Sequence, residues 1–490
     1  MTESHQHAVV LGAGMAGLLA ARALSESYPR VTLVERDTLP TGPMHRRGIP
    51  QGRHLHSMLS RGWQVLEELF PGFLDELVAD GAQVIDDGDL SRIYVRLGRY
   101  GLNRTQRVAD PAALVVHLAS RPFLEFHLRR RVAALGGIRF LDCHDVVAPI
   151  AATADRLTGV RVVNRATGAE SALHADLVVD AMGRAARTPA FLDDLGYGRP
   201  AEQRTAAPGT YFSQLLRIPD GMIDEKMVLV RPGRGLPIGG LLAYEHGSWM
   251  LTVGQLGIDP EPPADLAGML ALAEHFAPPP ILAGLHAAEP LGAVAVSRLP
   301  AGAWRRYDRM PRFPAGLVVI GDALCSLNPI HGQGMAMAAL QAVALRDQLH
   351  GGDRHLPQRF FRAAADLIGP VWAMNQATDR AQAPNQGRRS LPTRLRSWTT
   401  NQALRAAEHD IVLTERLFRV TSLVDPPTRL QDPSLLARVL VGNLRRRWAP
   451  GGSAQHGQHN PRRRRRGQQT VEPVHQAAVA GQHGAHVLDP

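Results

Sequence analysis

The 490 residues, 44% hydrophobic and 20% charged, fit a soluble globular protein long enough for two interleaved domains. Much of the net charge of +10 lies beyond Leu444, where eight arginines accompany two acids, so the remaining chain gives no reason to expect a nucleic-acid partner. The sequence has no long apolar run, which argues against a transmembrane helix, and no signal-peptide pattern, which argues against secretion. Cys143 and Cys325 are its only cysteines, so a disulfide framework is not supported and a cytoplasmic protein is favoured.

Residues 8–36 carry the pattern of a dinucleotide-binding unit. A short apolar run ends at Gly12, Gly14 and Gly17 complete G-x-G-x-x-G, an Ala/Leu-rich helical stretch follows, and a second apolar run ends at Glu35. Gly12 permits the tight turn, Gly14 admits a pyrophosphate to the backbone, and Gly17 lets the helix pack close to the strand. The helix N-terminus offers free N–H groups to phosphates, and Glu35 is placed to accept hydrogen bonds from a ribose diol.

A turn-rich segment follows at residues 39–57, which read LPTGPMHRRGIPQGRHLHS and predict a loop. We expect residues 52–54 to reach back toward the phosphates. The spacing of His54 and His56 is not that of a metal site, so cofactor contact or solvation is expected for them, and no metal site is predicted in the chain.

The later elements are predicted by apolar runs and helix signals. Ser120 is an expected N-cap, with Pro122 in the first turn of a helix that ends before two glycines. Residues 196–300 indicate mostly strand and turn, and residues 355–448 are helical with proline interruptions. The predicted helices lie at 58–68, 122–135 and 332–349, with a further short segment at 73–78. The predicted strands lie at 138–141, 145–150, 158–164, 176–180, 248–256 and 316–320.

Two further segments follow predicted buried strands. Asp180 opens one, which continues to Gly183, and the other begins with Gly321 and Asp322. Ligands of α/β sheets bind at the carboxyl ends of the strands, so Asp322 is placed to bind a second diol or a ribityl hydroxyl. The start of the following helix, at 332–334, is a second anion site, which a flavin needs because its N1 and O2 become negative on reduction.

With these segments the chain resembles the FAD-dependent monooxygenases of the para-hydroxybenzoate hydroxylase fold. The resemblance rests on G-x-G-x-x-G, Glu35, DAMGR at 180–184 and GDALCSLNPIHGQGMAMAALQA at 321–342, in the order of the family. Residues 50–82 and 424–440 are similar to the bacterial squalene-epoxidase-like monooxygenases, including polyether epoxidases. Met182 departs from the usual D-A-T-G pattern at a position that mainly packs.

The resemblance implies an α/β fold in which a Rossmann-like FAD-binding domain is interleaved with a mainly β substrate domain and followed by C-terminal helices. The expected FAD-binding domain comprises residues 1–80, 105–195 and 300–350, and the substrate domain 81–104 and 196–299. A helical region at 351–449 precedes a disordered basic tail at 450–490, whose five arginines at 462–466 are expected to be solvated.

The resemblance also implies residue roles. Glu35 would hold the adenosine ribose, Arg53 and Arg121 the pyrophosphate or ribityl chain, and Pro329 would border the isoalloxazine. The flavin does the chemistry, so no catalytic side chain is named. The expected cofactor-binding residues are Gly12, Gly14, Gly17, Glu35, Arg36, Arg53, Arg121, Asp180, Gly183, Gly321, Asp322, Pro329, Gly332, Gln333, Gly334 and Met335, and the candidate substrate-pocket residues are Tyr211, Phe212 and Trp249.

The activity implied is epoxidation or hydroxylation of a hydrophobic small molecule in secondary metabolism, by insertion of one oxygen from O₂ through a flavin C4a-hydroperoxide. NADPH or NADH would supply electrons directly or through a separate flavin reductase. No second G-x-G-x-x-G follows a strand, so we expect no separate Rossmann domain for a nicotinamide cofactor. A geranylgeranyl-reductase-like reductase of isoprenoid double bonds and a non-catalytic flavoprotein remain alternatives. A halogenase is disfavoured, since W-x-W-x-I-P is missing and Lys226 is the only lysine.

Overall fold

The computed structural model describes residues 6–153, 155–205, 209–231, 233, 236–256, 260–299, 301–382 and 391–448. The predicted disordered tail at 450–490, with the arginines at 462–466, lies outside the described residues. The described residues up to Leu444 belong to one compact unit.

The described residues form 21 strands and 12 α-helices. The strands are β1 (His7–Leu11), β2 (Arg30–Val34), β3 (Gln83–Ile85), β4 (Ile93–Leu97), β5 (Tyr100–Gly101), β6 (Val116–Leu118), β7 (Ile138–Leu141), β8 (His144–Thr153), β9 (Arg156–Asn164), β10 (Glu170–His174), β11 (Leu177–Asp180), β12 (Glu202–Arg204), β13 (Gly209–Arg217), β14 (Met227–Arg231), β15 (Ile238–Ala243), β16 (Ser248–Leu256), β17 (Glu289–Pro290), β18 (Ala295–Leu299), β19 (Ala303–Arg305), β20 (Leu317–Val319) and β21 (Cys325–Ser326). The helices are α1 (Met15–Leu24), α2 (Ser60–Leu69), α3 (Phe73–Ala79), α4 (Arg121–Ala133), α5 (Thr188–Asp194), α6 (Leu266–Ala273), α7 (Pro279–His286), α8 (Gly334–Leu349), α9 (Leu356–Gln382), α10 (Leu391–Ala407), α11 (Ile411–Thr421) and α12 (Pro433–Trp448).

A five-stranded parallel sheet has the order β20-β11-β1-β2-β7. Val9, Val179 and Val318, in its three adjacent strands, are each 0% exposed. The helix α1 packs on this sheet, and the strand β9 packs against β11 and contributes Leu157, Val160 and Val162 to the same core. The near-continuous apolar runs predicted for these strands follow from burial on both faces. This sheet confirms the Rossmann-like part of the predicted fold.

The large second sheet has the order β17-β13-β16-β15-β14-β4-β5, with β18 also pairing with β13. One face packs on α6 and α7, which lie in the block where the sequence predicts mostly strand and turn. Local signals support both helices, since the Asp265 side chain caps α6 and Pro279 occupies the first turn of α7. Met269 of α6 and Ile281 of α7 are buried in the cluster beneath them. The prediction for this block therefore omitted two covering helices.

Smaller elements complete the chain. The strands β10-β9-β8 and β12-β19-β21 form two three-stranded antiparallel sheets, and β3 pairs with β6. The C-terminal region is helical as predicted, and α9 packs along α8. Phe361 of α9 also stacks on Tyr307, with ring centroids 5.2 Å apart, in the same buried core. Within the described ranges, no helix combines the length and apolarity that crossing a membrane requires.

Candidate functional site

The glycine-rich turn joins β1 to α1. Gly12 has φ +99°, and its N–H donates to the Val34 carbonyl at 2.7 Å. A Cβ at Gly12 would lie 2.8 Å from the Ala181 carbonyl oxygen, and a Cβ at Gly17 only 1.8 Å from the carbonyl oxygen of Gly12. The turn therefore needs glycine at both positions. The structure gives no side-chain cap to the N-terminus of α1, so its first N–H groups remain available to a ligand.

Glu35 lies at the end of β2, where the sequence predicts a ribose acceptor. Its Oε2 accepts the Ala13 N–H at 2.9 Å, and its Oε1 accepts the Asp37 N–H at 3.1 Å. These bonds fix the carboxylate beside the glycine-rich turn. Oε1 carries only one of the two hydrogen bonds, so it retains capacity for a further donor.

Arg46 connects the loop 39–57 to this turn, and the sequence analysis did not single it out. Its guanidinium lies 2.9 Å from Glu35 Oε2, 2.7 Å from Glu125 Oε1 and 3.4 Å from Asp37 Oδ2. It also donates to the Ala13 carbonyl at 3.1 Å. The Arg46 side chain is only 6% exposed, and although burial opposes it, attraction by Glu125 and Glu35 raises the pKa of Arg46. Arg46 is thus a permanent buried cation beside the expected phosphate site.

The three predicted cofactor arginines have different surroundings. Arg121 is buried at the start of α4, and its Nε lies 3.3 Å from Glu125. Arg36 is exposed and pairs with Asp145 at 3.7 Å, and Arg53 is also exposed. Only Arg121 joins the buried network around Arg46.

The turn after β11 is organised by Asp180. Its carboxylate is 0% exposed, accepts the Met182 N–H at 2.9 Å and accepts the Thr188 hydroxyl. Burial raises the pKa of Asp180. The carboxylate is enclosed by the residues that follow it, so its hydrogen bonds stabilise the turn. Gly183, with φ +69° and no neighbour within 4 Å of a Cβ position, presents backbone instead.

Asp322 follows β20 in a turn that meets both helix N-termini. A Cβ at Gly321 would lie 2.5 Å from the Ala16 Cβ of α1, and the nearest atom to a Cβ at Gly334, the first residue of α8, is Asp322 Oδ1 at 4.0 Å. Gln341 of α8 accepts the Gly321 N–H at 2.7 Å and so holds the turn. The structure gives Asp322 no hydrogen-bond or ion-pair partner among the described residues. Burial raises the pKa of Asp322 against the attraction of Arg184 and Arg121.

Residues 328–333, which the resemblance would place beside the flavin ring, are called the flavin-loop segment. Pro329 is exposed, Gly332 has φ +67°, and Gln333 is buried immediately before α8 begins. As for α1, the structure gives no side-chain cap to the N-terminus of α8. Met335, in the first turn, is buried. Exposed backbone next to an uncapped helix start is the arrangement that the sequence predicts for an anion site.

The three candidate pocket residues divide between the faces of the large sheet. Phe212 and Trp249 are buried in the cluster that packs on α6 and α7, where Lys226 Nζ lies 5.4 Å from the Trp249 ring. Tyr211 has the opposite orientation, on the face that carries Ser213. Its ring lies against Gly254, and its buried hydroxyl has no hydrogen-bond partner among the described residues. The face of the large sheet that carries Ser213, opposite α6 and α7, is called the inner face. Of the three candidates, Tyr211 is therefore the one with a polar group available on the inner face.

The end of the loop 39–57 is bonded to that inner face. His54 Nδ1 lies 2.8 Å from Ser213 Oγ, and the His56 N–H donates to Tyr244 Oη at 2.7 Å. Burial, with the nearby Arg53, lowers the pKa of His54 to about 4, and burial, with Arg121, lowers the pKa of His56 to about 4. Both histidines are therefore neutral at pH 7 and link the loop to the large sheet.

The buried histidines should make folding acid-sensitive. The unfolded chain takes up protons near pH 6.5, whereas the folded histidines do so only near pH 4. Stability should therefore be full above pH 6.5 and fall as the pH drops toward 4, by about 1.4 kcal/mol per pH unit for each histidine. Urea unfolding at pH 7, 6 and 5 measures this loss. His54→Asn and His56→Asn keep an atom at the Nδ1 position and should each reduce the loss, whereas His286→Asn, at the exposed end of α7, should not.

Metal ligation finds no support in the described part of the chain, which contains no group of three or more His, Cys, Asp or Glu side chains placed to hold an ion. The site instead combines the uncapped starts of α1 and α8, the buried guanidinium of Arg46 and the carboxylate of Asp322, for which the described residues provide no partner. These groups suit a ligand with phosphates and hydroxyls.

Comparisons with known proteins agree with this architecture. Residues 10–76 match the model of an NAD(P)-binding Rossmann-like domain. Among solved structures, the probable FAD-dependent monooxygenase PqsL from Pseudomonas aeruginosa is 16% identical with a TM-score of 0.59, over 77% of this chain and 96% of that one. The p-nitrophenol 4-monooxygenase PnpA from Pseudomonas putida is 13% identical with a TM-score of 0.62, over 86% and 99%. The flavin-dependent brominase Bmp2 is 14% identical with a TM-score of 0.60, over 90% and 100%.

One curated protein is much more similar in sequence. Protein Rv3254 of Mycobacterium tuberculosis is 39% identical over 457 residues, which cover 90% of this chain and 94% of that protein. The structural similarities, all at low identity, concern the fold alone, whereas this match extends over nearly the whole of both sequences. The chain therefore belongs to the same family as protein Rv3254, and its fold is that of FAD-dependent monooxygenases and halogenases.

Proposed function

We propose that the chain binds FAD and is a flavin-dependent monooxygenase that inserts one oxygen atom of O₂ into a hydrophobic small molecule. The observation that carries the proposal is that two uncapped helix starts, those of α1 and α8, meet at the carboxylate of Asp322, which has no partner among the described residues. A dinucleotide dehydrogenase needs only the first of these helix starts. The second comes after β20 of the same sheet, and no second G-x-G-x-x-G follows a strand in the sequence, which favours one extended flavin dinucleotide.

At the AMP end, the glycine-rich turn would hold the pyrophosphate and Glu35 Oε1 the ribose. Arg46 lies beside this turn, with Nη2 at 3.9 Å from a Cβ position on Gly14, and would offset phosphate charge. Arg121 would act from the neighbouring helix α4. We assign Arg53 and Arg36 more distant contributions, since both side chains are exposed.

At the ring end, Asp322 would accept a ribityl hydroxyl, and Gln333 to Met335 would present backbone N–H groups to the pyrimidine edge. The Gly332 N–H, which the resemblance also assigns to that edge, already donates to the Pro329 carbonyl at 2.9 Å. Pro329 would border the isoalloxazine. Bound FAD, once reduced, supplies the activation of O₂, while the protein supplies orientation and a site that excludes water. The inner face of the large sheet, with Tyr211, is the proposed substrate side, whereas the packing of Phe212 and Trp249 on α6 and α7 supports a core role for those two.

Epoxidation or hydroxylation in secondary metabolism is the reaction we favour within this class, with NADPH or NADH as the electron source, directly or through a flavin reductase. The fold is shared with a brominase, but W-x-W-x-I-P is missing from the sequence. The only lysine, Lys226, packs over Trp249, which lies on the face of the large sheet that α6 and α7 cover. Both observations favour oxygenation over halogenation.

The test begins with FAD titrated into the purified chain. We expect a yellow complex, then NADPH oxidation with O₂ uptake, stimulated by one class of hydrophobic compound, and a product heavier by one oxygen. A product that gains two hydrogens would identify a reductase of double bonds instead. Bound FAD without stimulated turnover would identify a non-catalytic flavoprotein, and a protein that stays colourless with FAD would refute the proposal.

Asp322→Asn separates cofactor binding from folding. Because the wild-type carboxylate is partly buried without a partner, its neutralisation should leave the unfolding midpoint of the apoprotein unchanged or raise it. The affinity for FAD should fall roughly 10-fold to 100-fold, the loss of one hydrogen bond to a charged group. Fluorescence titration with FAD measures the change. Asp347→Asn, an exposed change on α8, is the matched control, and equal FAD affinity in the two variants would contradict the role of Asp322.

A further inference from the structure

The flavin-loop segment is held from the C-terminal region by two residues of α9 that are one helical turn apart. Asp379 Oδ1 accepts Asn328 Nδ2–H at 3.2 Å and lies 3.0 Å from His331 Nε2. Asn375 Nδ2 donates to Gln333 Oε1 at 2.7 Å. These contacts attach the start, middle and end of the segment to one helix that follows it in the chain.

The attachment is buried. The side chains of Asp379 and His331 are 2% and 7% exposed, and Asn328, Gln333 and Asn375 are also buried. A buried carboxylate is retained only where hydrogen bonds or nearby positive charge compensate the loss of water. Asp379 Oδ1 takes both hydrogen bonds, while Oδ2 has no partner within the described residues.

Positive charge reaches the same segment from the large sheet. Arg231, in β14, donates to the carbonyl of Ile330, between the two residues that Asp379 binds. The described residues provide no carboxylate within ion-pair distance of Arg231. Charges of opposite sign, from β14 and α9, therefore hold the segment between them, and its backbone position depends on both.

The hydrogen bond to Asp379 also selects the form of His331. Burial lowers the pKa of His331, against the opposing effect of Asp379, so the ring is neutral at pH 7. A neutral imidazole that donates from Nε2 to a carboxylate carries its proton there, which leaves Nδ1 as an acceptor.

We infer that Asp379 is a positioning residue for the flavin ring: from α9 it fixes the flavin-loop segment and holds His331 as the Nε2–H tautomer. The inference rests on the proposed function, because it takes Pro329 and Gly332 as neighbours of the ring. It predicts that removal of the carboxylate changes the environment of the ring more than the binding of the AMP end, which lies at the glycine-rich turn.

The experiment uses the full chain saturated with FAD. Its readouts are the visible absorption spectrum of bound flavin, the midpoint potential and the affinity for FAD compared with that for ADP. Asp379→Ala should shift the spectrum and the potential and weaken FAD at least tenfold, with ADP affinity unchanged. Asp379→Asn, which keeps an acceptor oxygen without the charge, should produce smaller shifts. Asp366→Asn, an exposed change on the same helix, should match wild type.

His331 supplies a rescue test. His331→Gln keeps an amide N–H where Nε2–H stands and should retain the wild-type spectrum, whereas His331→Leu should resemble Asp379→Ala. Wild-type spectra and FAD affinity in both Asp379 variants would overturn the inference while leaving FAD binding intact. Equal loss of FAD and ADP would also overturn it, as a general structural effect. If Asp379→Ala does not fold, the spectra of Asp379→Asn and of the two His331 variants test the inference instead. A wild-type chain that binds no FAD would refute the proposed function itself.

Discussion

Gly17→Ala is expected to destabilise the chain by about 3 kcal/mol or more and to reduce FAD affinity at least tenfold. The added methyl would lie 1.8 Å from the Gly12 carbonyl oxygen, so α1 would have to move away from β1. That movement opens the turn on which the pyrophosphate is expected to bind. Urea unfolding of the apoprotein and FAD titration measure the two effects separately.

The direction in which Gly17→Ala changes the free energy of unfolding separates two explanations. In an unobstructed helix, alanine is more favourable than glycine by about 1 kcal/mol, so helix propensity alone predicts a more stable variant. Gly442→Ala, within α12, is the matched control, because the nearest atom to a Cβ there is the Ala406 Cβ at 3.7 Å, an ordinary van der Waals contact. A stable Gly17→Ala protein that binds FAD normally would show that close packing of α1 on β1 is not required.

Local signals explain which elements could be predicted from the sequence. Residues within a few positions of each other determine three of the predicted elements. These are the strand–turn–helix unit at Gly12, the helix that Ser120 caps and the helix α8. In the structure, for example, Ser120 Oγ accepts the Phe123 N–H at 3.3 Å, as the predicted N-cap requires. Burial on both faces likewise marks β11 and β20 as continuous apolar runs.

The contacts that complete the site are not local, and the sequence does not reveal them. Arg46 and Glu125 are 79 residues apart, and Asn328 and Asp379 are 51 apart. A turn-rich loop with several basic residues indicates a positive segment near the glycine-rich turn, but it does not indicate which arginine is buried or which acids face it. Asp379 lies in a helix whose pattern gives no sign that one of its polar positions points inward. Such pairings depend on tertiary packing, which one sequence does not encode at any recognisable spacing.

The buried network around Arg46 also qualifies how the glycine-rich turn should be understood. The motif alone predicts a turn whose backbone N–H groups are free to bind a phosphate. In the structure the same turn is already bonded to the loop 39–57, through the Ala13 carbonyl and through Glu35. The expected cofactor site is therefore assembled by a segment outside the motif, and its integrity depends on one guanidinium.

Arg46→Met is accordingly expected to lower the free energy of unfolding by about 3–5 kcal/mol at pH 7, the effect of removing one partner from a buried ion pair. Methionine retains much of the side-chain volume, so the loss reports charge more than packing. Arg199→Met, which removes an exposed arginine 2.9 Å from Asp193, should change stability by less than about 1 kcal/mol. Urea unfolding of both variants gives the comparison.

The pH dependence identifies the mechanism of that loss. Without Arg46, Glu125 keeps Arg121 at 3.3 Å, but Glu35 and Asp37 have no other cation within ion-pair distance among the described residues. Proton uptake in the folded state then relieves the repulsion that remains among these buried carboxylates. The folded variant then binds more protons than the unfolded chain, so its stability relative to wild type should rise as the pH falls from 8 toward 5. Comparison with wild type at each pH removes the acid sensitivity of His54 and His56. A deficit that stays constant across this range would show that Arg46 acts through packing, and that the charges around the glycine-rich turn do not hold it together.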